Sequence, residues 1–362
     1  MVRYKFLLAA LCLVLFGQSC IHGDLDDCPP MVNYAVAFTY TNHVWNNDRF
    51  YDDVKKINLY VFDDDNLFLT TTTELSPYET NFNIPLDLPM GKYHILAWCN
   101  VLDTEPFEIT PSTFVKGQTT LNETKLTLQK TNGDLNDSNL EKLFFGEMDV
   151  EVPLYVSRID TIPLTNDTKN IRVVLHWNYE NPEEGIDYSD IVVRLIGTNA
   201  KYTFHNDNER VDVLYAPYGT SYSDSLIRID PQIDWLQIGY GVSSFSDEYI
   251  ETTVYDFKVL RLFKDLPLYL KIDFVHPSGN NEFIKKGIRE VDIINVQSGG
   301  FESLFLDELR ILESQWQNIF DRNDYYRVDM QIIQEGFDTF LTGSIKINDW
   351  GKIPVPGNGS SE

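Results

Sequence analysis

From Val32 onward the chain alternates apolar and polar residues with a period of two, the pattern of strands that rest one face on a core. Val32 to Tyr40 is rich in aromatic and β-branched residues and predicts a first strand. Val54–Phe62 and Leu67–Thr70 flank Asp63-Asp64-Asp65-Asn66, which predicts a hairpin turned by acidic residues and Asn. Three adjacent carboxylates also invite a calcium reading, but the run lacks the alternating ligands, the Gly and the distal Glu of an EF-hand loop. Phe82–Leu88 alternates, Pro89-Met90-Gly91-Lys92 turns the chain, and Tyr93–Asn100 is apolar on both faces, as a strand inside a sandwich would be.

Turn formers gather from Pro163 to Asn170, and this stretch is the expected linker. Strand patterns resume at Ile171–Trp177 and recur at 191–196, 202–204, 211–214, 254–263, 268–275 and 326–332, with a last one from Thr342 to Trp350. Phe305, Leu309, Leu312, Trp316 and Ile319 fall at helical spacing, so Ser303–Phe320 is expected as an amphipathic helix with Ser303 as its N-cap. The chain therefore reads as mainly β, with two tandem antiparallel β-sandwich domains over 31–165 and 166–353. One helix lies late in the second, and a flexible tail covers 354–362.

The N-terminus follows a different pattern. Arg3 and Lys5 precede the apolar run Phe6–Phe16, small residues follow, and the order is that of a secretory signal over residues 1–19. Leu15-Phe16-Gly17-Gln18-Ser19-Cys20 resembles a lipobox, the bacterial lipoprotein signal in which the cysteine is acylated and the chain is cut just before it. The alternative is a plain signal peptide followed by an unmodified Cys20. If lipidated, Cys20 begins a tether over 20–30 and places its acyl chains in a membrane.

Among 362 residues the net charge is −26, which repels phosphate backbones and argues against nucleic acid as a partner. It also disfavours adsorption of the folded body to anionic lipid, leaving the acyl chains as the membrane contact. Cys12 departs with the signal and Cys20 would carry lipid, so Cys28 and Cys99 remain, either as a disulfide or as two buried thiols. The six histidines are scattered, and no metal site, phosphate loop or nucleophile elbow emerges. Neither a catalytic constellation nor a cofactor is expected.

Several blocks carry a resemblance in conserved order along the mature chain. They are Cys20-Ile-His-Gly-Asp-Leu-Asp-Asp-Cys-Pro, Asn47-Asp-Arg-Phe50 leading into Val54–Asp63, Gly91–Asn100, Leu143-Phe-Phe-Gly146 and Asp321-Arg-Asn-Asp-Tyr-Tyr326. Together they resemble the FimB/Mfa2 family of fimbrial anchor lipoproteins of Bacteroides-type bacteria. The resemblance implies two transthyretin-like sandwiches and a non-catalytic subunit of a fimbrium (pilus) on the cell surface. It implies attachment to the outer membrane, termination of assembly, and fimbrial shaft subunits as partners.

Related fimbrial subunits exchange strands after proteolysis removes their first strand. A cut at Arg49 here would release Cys20 and its lipid together with Val32–Tyr40, so the first strand is expected to stay in its own sheet. Contact with the shaft then falls to strand donation, with Ile345, Ile347 and Trp350 as donor candidates, or to surface docking. Thr342–Trp350 could equally complete the second domain. The runner-up function is a surface lipoprotein that binds glycan or host protein (an adhesin), with Trp235, Tyr240 and Tyr249 as a sugar platform.

Overall fold

The structure, a computed structural model, describes residues 34–45, 47–153, 157–179, 191–223, 250–274, 289–294, 311–335 and 338–347. The first half runs β1 (Tyr34–Thr39), the one-turn α1 (Phe50–Asp53), β2 (Lys56–Asp63), β3 (Phe68–Leu75), β4 (Ile84–Leu86) and β5 (Gly91–Cys99). It continues with β6 (Phe107–Thr110), β7 (Lys125–Leu128), β8 (Leu135–Asn136), β9 (Phe144–Val152), β10 (Arg158–Pro163) and β11 (Thr165–Asn166). The second half holds β12 (Thr168–Tyr179), β13 (Ile191–Gly197), β14 (Lys201–Thr203), β15 (Val213–Tyr215), β16 (Gly219–Ser223), β17 (Ile250–Leu260) and β18 (Tyr269–Phe274). Last come β19 (Arg289–Asp292), α2 (Glu313–Arg322), β20 (Tyr325–Glu335) and β21 (Asp338–Ile347). The chain is mainly β, as the alternation requires.

A three-stranded sheet, β10-β1-β4, and a five-stranded sheet, β11-β9-β5-β2-β3, meet in the first core. Tyr34, Val36 and Phe38 of β1 enter it opposite Ile57, Leu59 and Val61 of β2 and Ile95 and Ala97 of β5. The β2–β3 turn uses its acids locally, because Asp63 Oδ1 accepts from the N–H groups of Asp65 and Leu67 at 3.0 and 2.9 Å. Asn66 takes the left-handed position that closes the turn, with φ 61°. Gly146 on β9 is required by close approach, since an added Cβ would lie 2.5 Å from Ile162 Cγ2 and 2.7 Å from the Pro163 carbonyl oxygen.

Two five-stranded sheets, β16-β17-β12-β20-β21 and β19-β18-β13-β15-β8, form the second sandwich. Its core does not stop at the second half. The short sheet β14-β7-β6 joins a second-half strand to two first-half strands, and β8 pairs in parallel with β15. Through this sheet the second core reaches the far face of β2 and β5, where Tyr60, Phe62, Leu96 and Trp98 are buried. Phe204 lies 5.0 Å from the ring of Tyr60, 6.3 Å from Phe62 and 6.4 Å from Trp98. Both faces of β5 are therefore buried, which accounts for its unbroken apolar run.

Two expectations are corrected. Pro163–Asn170, where the first sandwich passes into the second, is mostly strand and not an exposed turn, with Leu164 and Asp167 between strands and Leu164 and the residues from Asn166 to Asn170 buried. The polar groups that suggested a turn bond inside the fold, with Thr168 N and Oγ1 both donating to Asn166 Oδ1 at 3.1 and 2.9 Å. The late helix starts at Glu313, because Leu312 is extended with φ −66° and ψ 142°, and ends at Arg322. Of the apolar stripe, Trp316 and Ile319 lie on this helix, Leu312 is exposed, and Ser303, Phe305 and Leu309 fall outside the described residues.

Candidate functional site

The described chain enters its fold through β1. It runs parallel to β10 from Tyr34 opposite Arg158 to Thr39 opposite Pro163, and antiparallel to β4 on its other side. Tyr34 and Val36 are fully buried, and the Tyr34 hydroxyl donates to Asp160 Oδ2 at 3.0 Å. β1 is thus hydrogen-bonded on both sides within its own sheet.

The loop after β1 is pinned by Asp48, whose Oδ1 accepts from the N–H groups of Tyr40 and Phe50, both at 2.9 Å. Arg49, the residue considered for proteolysis, grips Asp53 with Nε and an Nη nitrogen, each at 3.1 Å. Asp53 starts a ladder of charges that crosses to the second half. Lys142 Nζ lies 2.9 Å from Asp53 and 3.6 Å from Asp324, in the turn between α2 and β20. Asp324 also accepts from Asn166 Nδ2 at 2.8 Å and lies 3.8 Å from Lys169 Nζ. The Lys169 side chain is fully buried and donates to the Asp321 carbonyl at 2.9 Å, and burial holds its pKa below the usual lysine range.

Beyond Lys169, Arg261 makes a two-pronged contact with the Asp321 carboxylate at 2.7 and 2.8 Å and lies 3.9 Å from Asp167. Asp167 is fully buried, with the Asn206 side chain beside its carboxyl group. Burial raises its pKa to about 7, opposed by Arg261 and reinforced by Asp321. Asn100 braces the first-half end with φ 63°, donating to the carbonyls of Asp53 and Lys142 and accepting from the N–H groups of Lys55 and Lys56.

The residue blocks around Arg49, Asn100, Phe144 and Asp324 are far apart in sequence and meet at this joint. Sequence reasoning marked the blocks but not their roles. Asp53, Lys142, Asp167 and Lys169 carry no local signal, since isolated charges in strand-like runs read as solvent-facing. No group of three or more metal-ligating side chains occurs among the described residues.

The remaining site residues are separated. Ile345 and Ile347 lie on β21, opposite Val328 and Tyr326 of β20, in a ladder that covers all ten residues of the strand. β21 is the edge of its sheet, and no other described strand pairs with it. Cys99 is fully buried in the first core, and burial pushes its thiol pKa up. Cys20, Cys28, Trp350, Trp235, Tyr240 and Tyr249 lie outside the described residues, and with them the lipid attachment, the Cys28 pairing and the proposed sugar platform.

No curated protein matches the sequence. Solved structures do match. The fimbrial anchor protein Mfa2 from Porphyromonas gingivalis superposes with a TM-score of 0.58 at 15% identity, over 88% of this chain and 97% of that one. A candidate adhesin from Bacteroides thetaiotaomicron gives 0.63 at 18% identity, over 88% and 96%. A candidate polysaccharide-binding protein from the same organism gives 0.59 at 20% identity, over 87% and 97%. At such identities the likeness establishes the fold. Membership is established by sequence: the model of the family described as fimbrillin-A associated anchor proteins Mfa1 and Mfa2 matches residues 25–354, and the chain belongs to that family.

Proposed function

We propose that this protein is the non-catalytic terminus of a fimbrium, held in the outer membrane by acyl chains on Cys20 and exposed on the cell surface. The observation that carries the reading is the capture of β1 between β10 and β4. A subunit that keeps its first strand offers no groove to the next one, so growth ends with it. Lipid at Cys20 adds a second reason, because cleavage after β1 would free the folded body from the membrane. One acyl chain binds marginally at about 0.8 kcal/mol per buried methylene, whereas two or more hold stably.

The unbroken β20–β21 ladder favours contact with shaft subunits by docking, because donating Ile345 and Ile347 would first open its ten residue pairs. The test is Cys20→Ala expressed in a fimbriated strain, followed by separation of membrane from medium. The variant and its co-purifying shaft subunits should move into the medium. Retention of the variant in the outer membrane would overturn lipid anchoring, and recovery of the wild type without any shaft subunit would overturn the fimbrial role.

A further inference from the structure

Among the described residues, the first sandwich has a long sheet edge that is left open. β3 pairs with β2 on one side and ends its sheet on the other. The Ser76 N–H extends that ladder by donating to the Lys55 carbonyl at 2.9 Å. Alternation then turns the backbones of Thr72 and Glu74 toward β2 and those of Thr71, Thr73 and Leu75 outward. Their three N–H and three C=O groups have no partner among the described residues. All three residues are exposed, Leu75 by 64%. Phe68–Leu75 holds neither the Lys nor the Pro that protects such an edge, and Glu74 is its single charge. The other edges of this sandwich are short or covered: β4 has three residues with Pro85 in the middle, β11 has two, and β10 lies against Gly146 of β9.

One end of the edge already receives extended chain. The Phe68 N–H donates to the Thr119 carbonyl and the Phe68 carbonyl accepts from the Gly117 N–H, both at 2.8 Å. Beyond this contact the outward groups of Thr71, Thr73 and Leu75 continue the same line. Charge decides what fits them. A second copy is repelled by a net charge of −26 on each chain. Glu74 makes no ion pair or hydrogen bond among the described residues, so a strand with Lys or Arg opposite it gains a charge pair.

We propose that the edge of β3 takes up an extended, cationic segment of a shaft subunit as an added strand, an inference that rests on the fimbrial reading. Such addition displaces nothing, so it is compatible with a β1 that stays in its own sheet. The full chain is produced in a fimbriated strain with the photoreactive residue benzoylphenylalanine in place of Leu75, irradiated, and its adduct peptides are sequenced by mass spectrometry. Adducts should fall on a shaft-subunit segment that contains Lys or Arg. Thr73→Pro removes one outward N–H and the side-chain bond to Asn58 Oδ1 but no bond of the β2 ladder, so thermal melting should show it folded. It should lower the adduct yield about tenfold, through one lost ladder hydrogen bond and the clash of the ring. Glu74→Lys leaves every backbone bond in place and should lower the yield about threefold. Absence of adducts in a preparation that still co-purifies with shaft subunits overturns the proposal. Adducts confined to a second copy of this chain, or yields unchanged in both variants, do so too. Wild type that brings down no shaft subunit overturns the fimbrial reading and this proposal with it, which separates that outcome from a failure of the edge alone.

Discussion

The two cores of this protein are built differently. The first draws its residues from one stretch of chain, Tyr34 to Leu164, and closes on itself. The second begins in its own sandwich but runs through β14, β7 and β6 to the far face of β2 and β5. One core is thus drawn from the first half alone, while the other takes residues from both halves. The consequence is a joint with an apolar seam and a charged seam side by side, in place of two bodies on a hinge.

The sharpest way to break this comparison is Phe204→Ala. Phe204 belongs to the second half yet packs on first-half aromatics, so its loss should cost about 3–5 kcal/mol in urea unfolding. Hydrogen exchange should quicken in β2 and β5 as well as in the second sandwich. Unaltered exchange in β2 and β5 would mean that the halves are energetically separate after all.

Asp324→Ala tests the charged seam, where it strips a partner from Lys142, Asn166 and buried Lys169 at once. A loss of about 2 kcal/mol is expected, below that of a fully buried pair because Asp324 is partly exposed. The first core should melt as before if the seam joins the halves without supporting either alone.

The smallest effect is a dependence on pH. Burial keeps Asp167 neutral up to about pH 7, against a usual aspartate pKa of about 3.9. Between those values the folded protein binds more protons than the unfolded chain, so stability falls as pH rises from about 4 to about 7. Asp167→Asn removes that slope, and the variant should gain about 1–2 kcal/mol on the wild type between pH 6 and pH 8. A melting-temperature difference that stays constant over this range would contradict the assignment.

Much of the first core was legible because alternation reports one buried face, as in Phe82–Leu88, where Ile84, Leu86 and Leu88 enter the core while Pro85 and Asp87 are exposed. Strand partners were not legible. Nothing local to Lys201–Thr203 says that it will pair with Lys125–Thr127 across the halves. Asn166, Asp167, Thr168 and Asn170 have turn propensity on their own, and distant groups such as Asp324 override it by accepting their hydrogen bonds. For the same reason the joint was invisible, since Lys142 and Asp324 acquire meaning only when folding brings them within 3.6 Å.

β1 has one more property, which concerns force. Any pull on residue 33 acts along the axis of a strand bonded on both sides, so the ladders to β10 and β4 are loaded in shear. Their bonds lie across the load and share it, whereas a strand peeled from its end gives them up one at a time. A slip of a single residue would also turn Tyr34, Val36 and Phe38 out of the core. The first described strand of the chain is built like a rivet, strongest against a pull along its own axis.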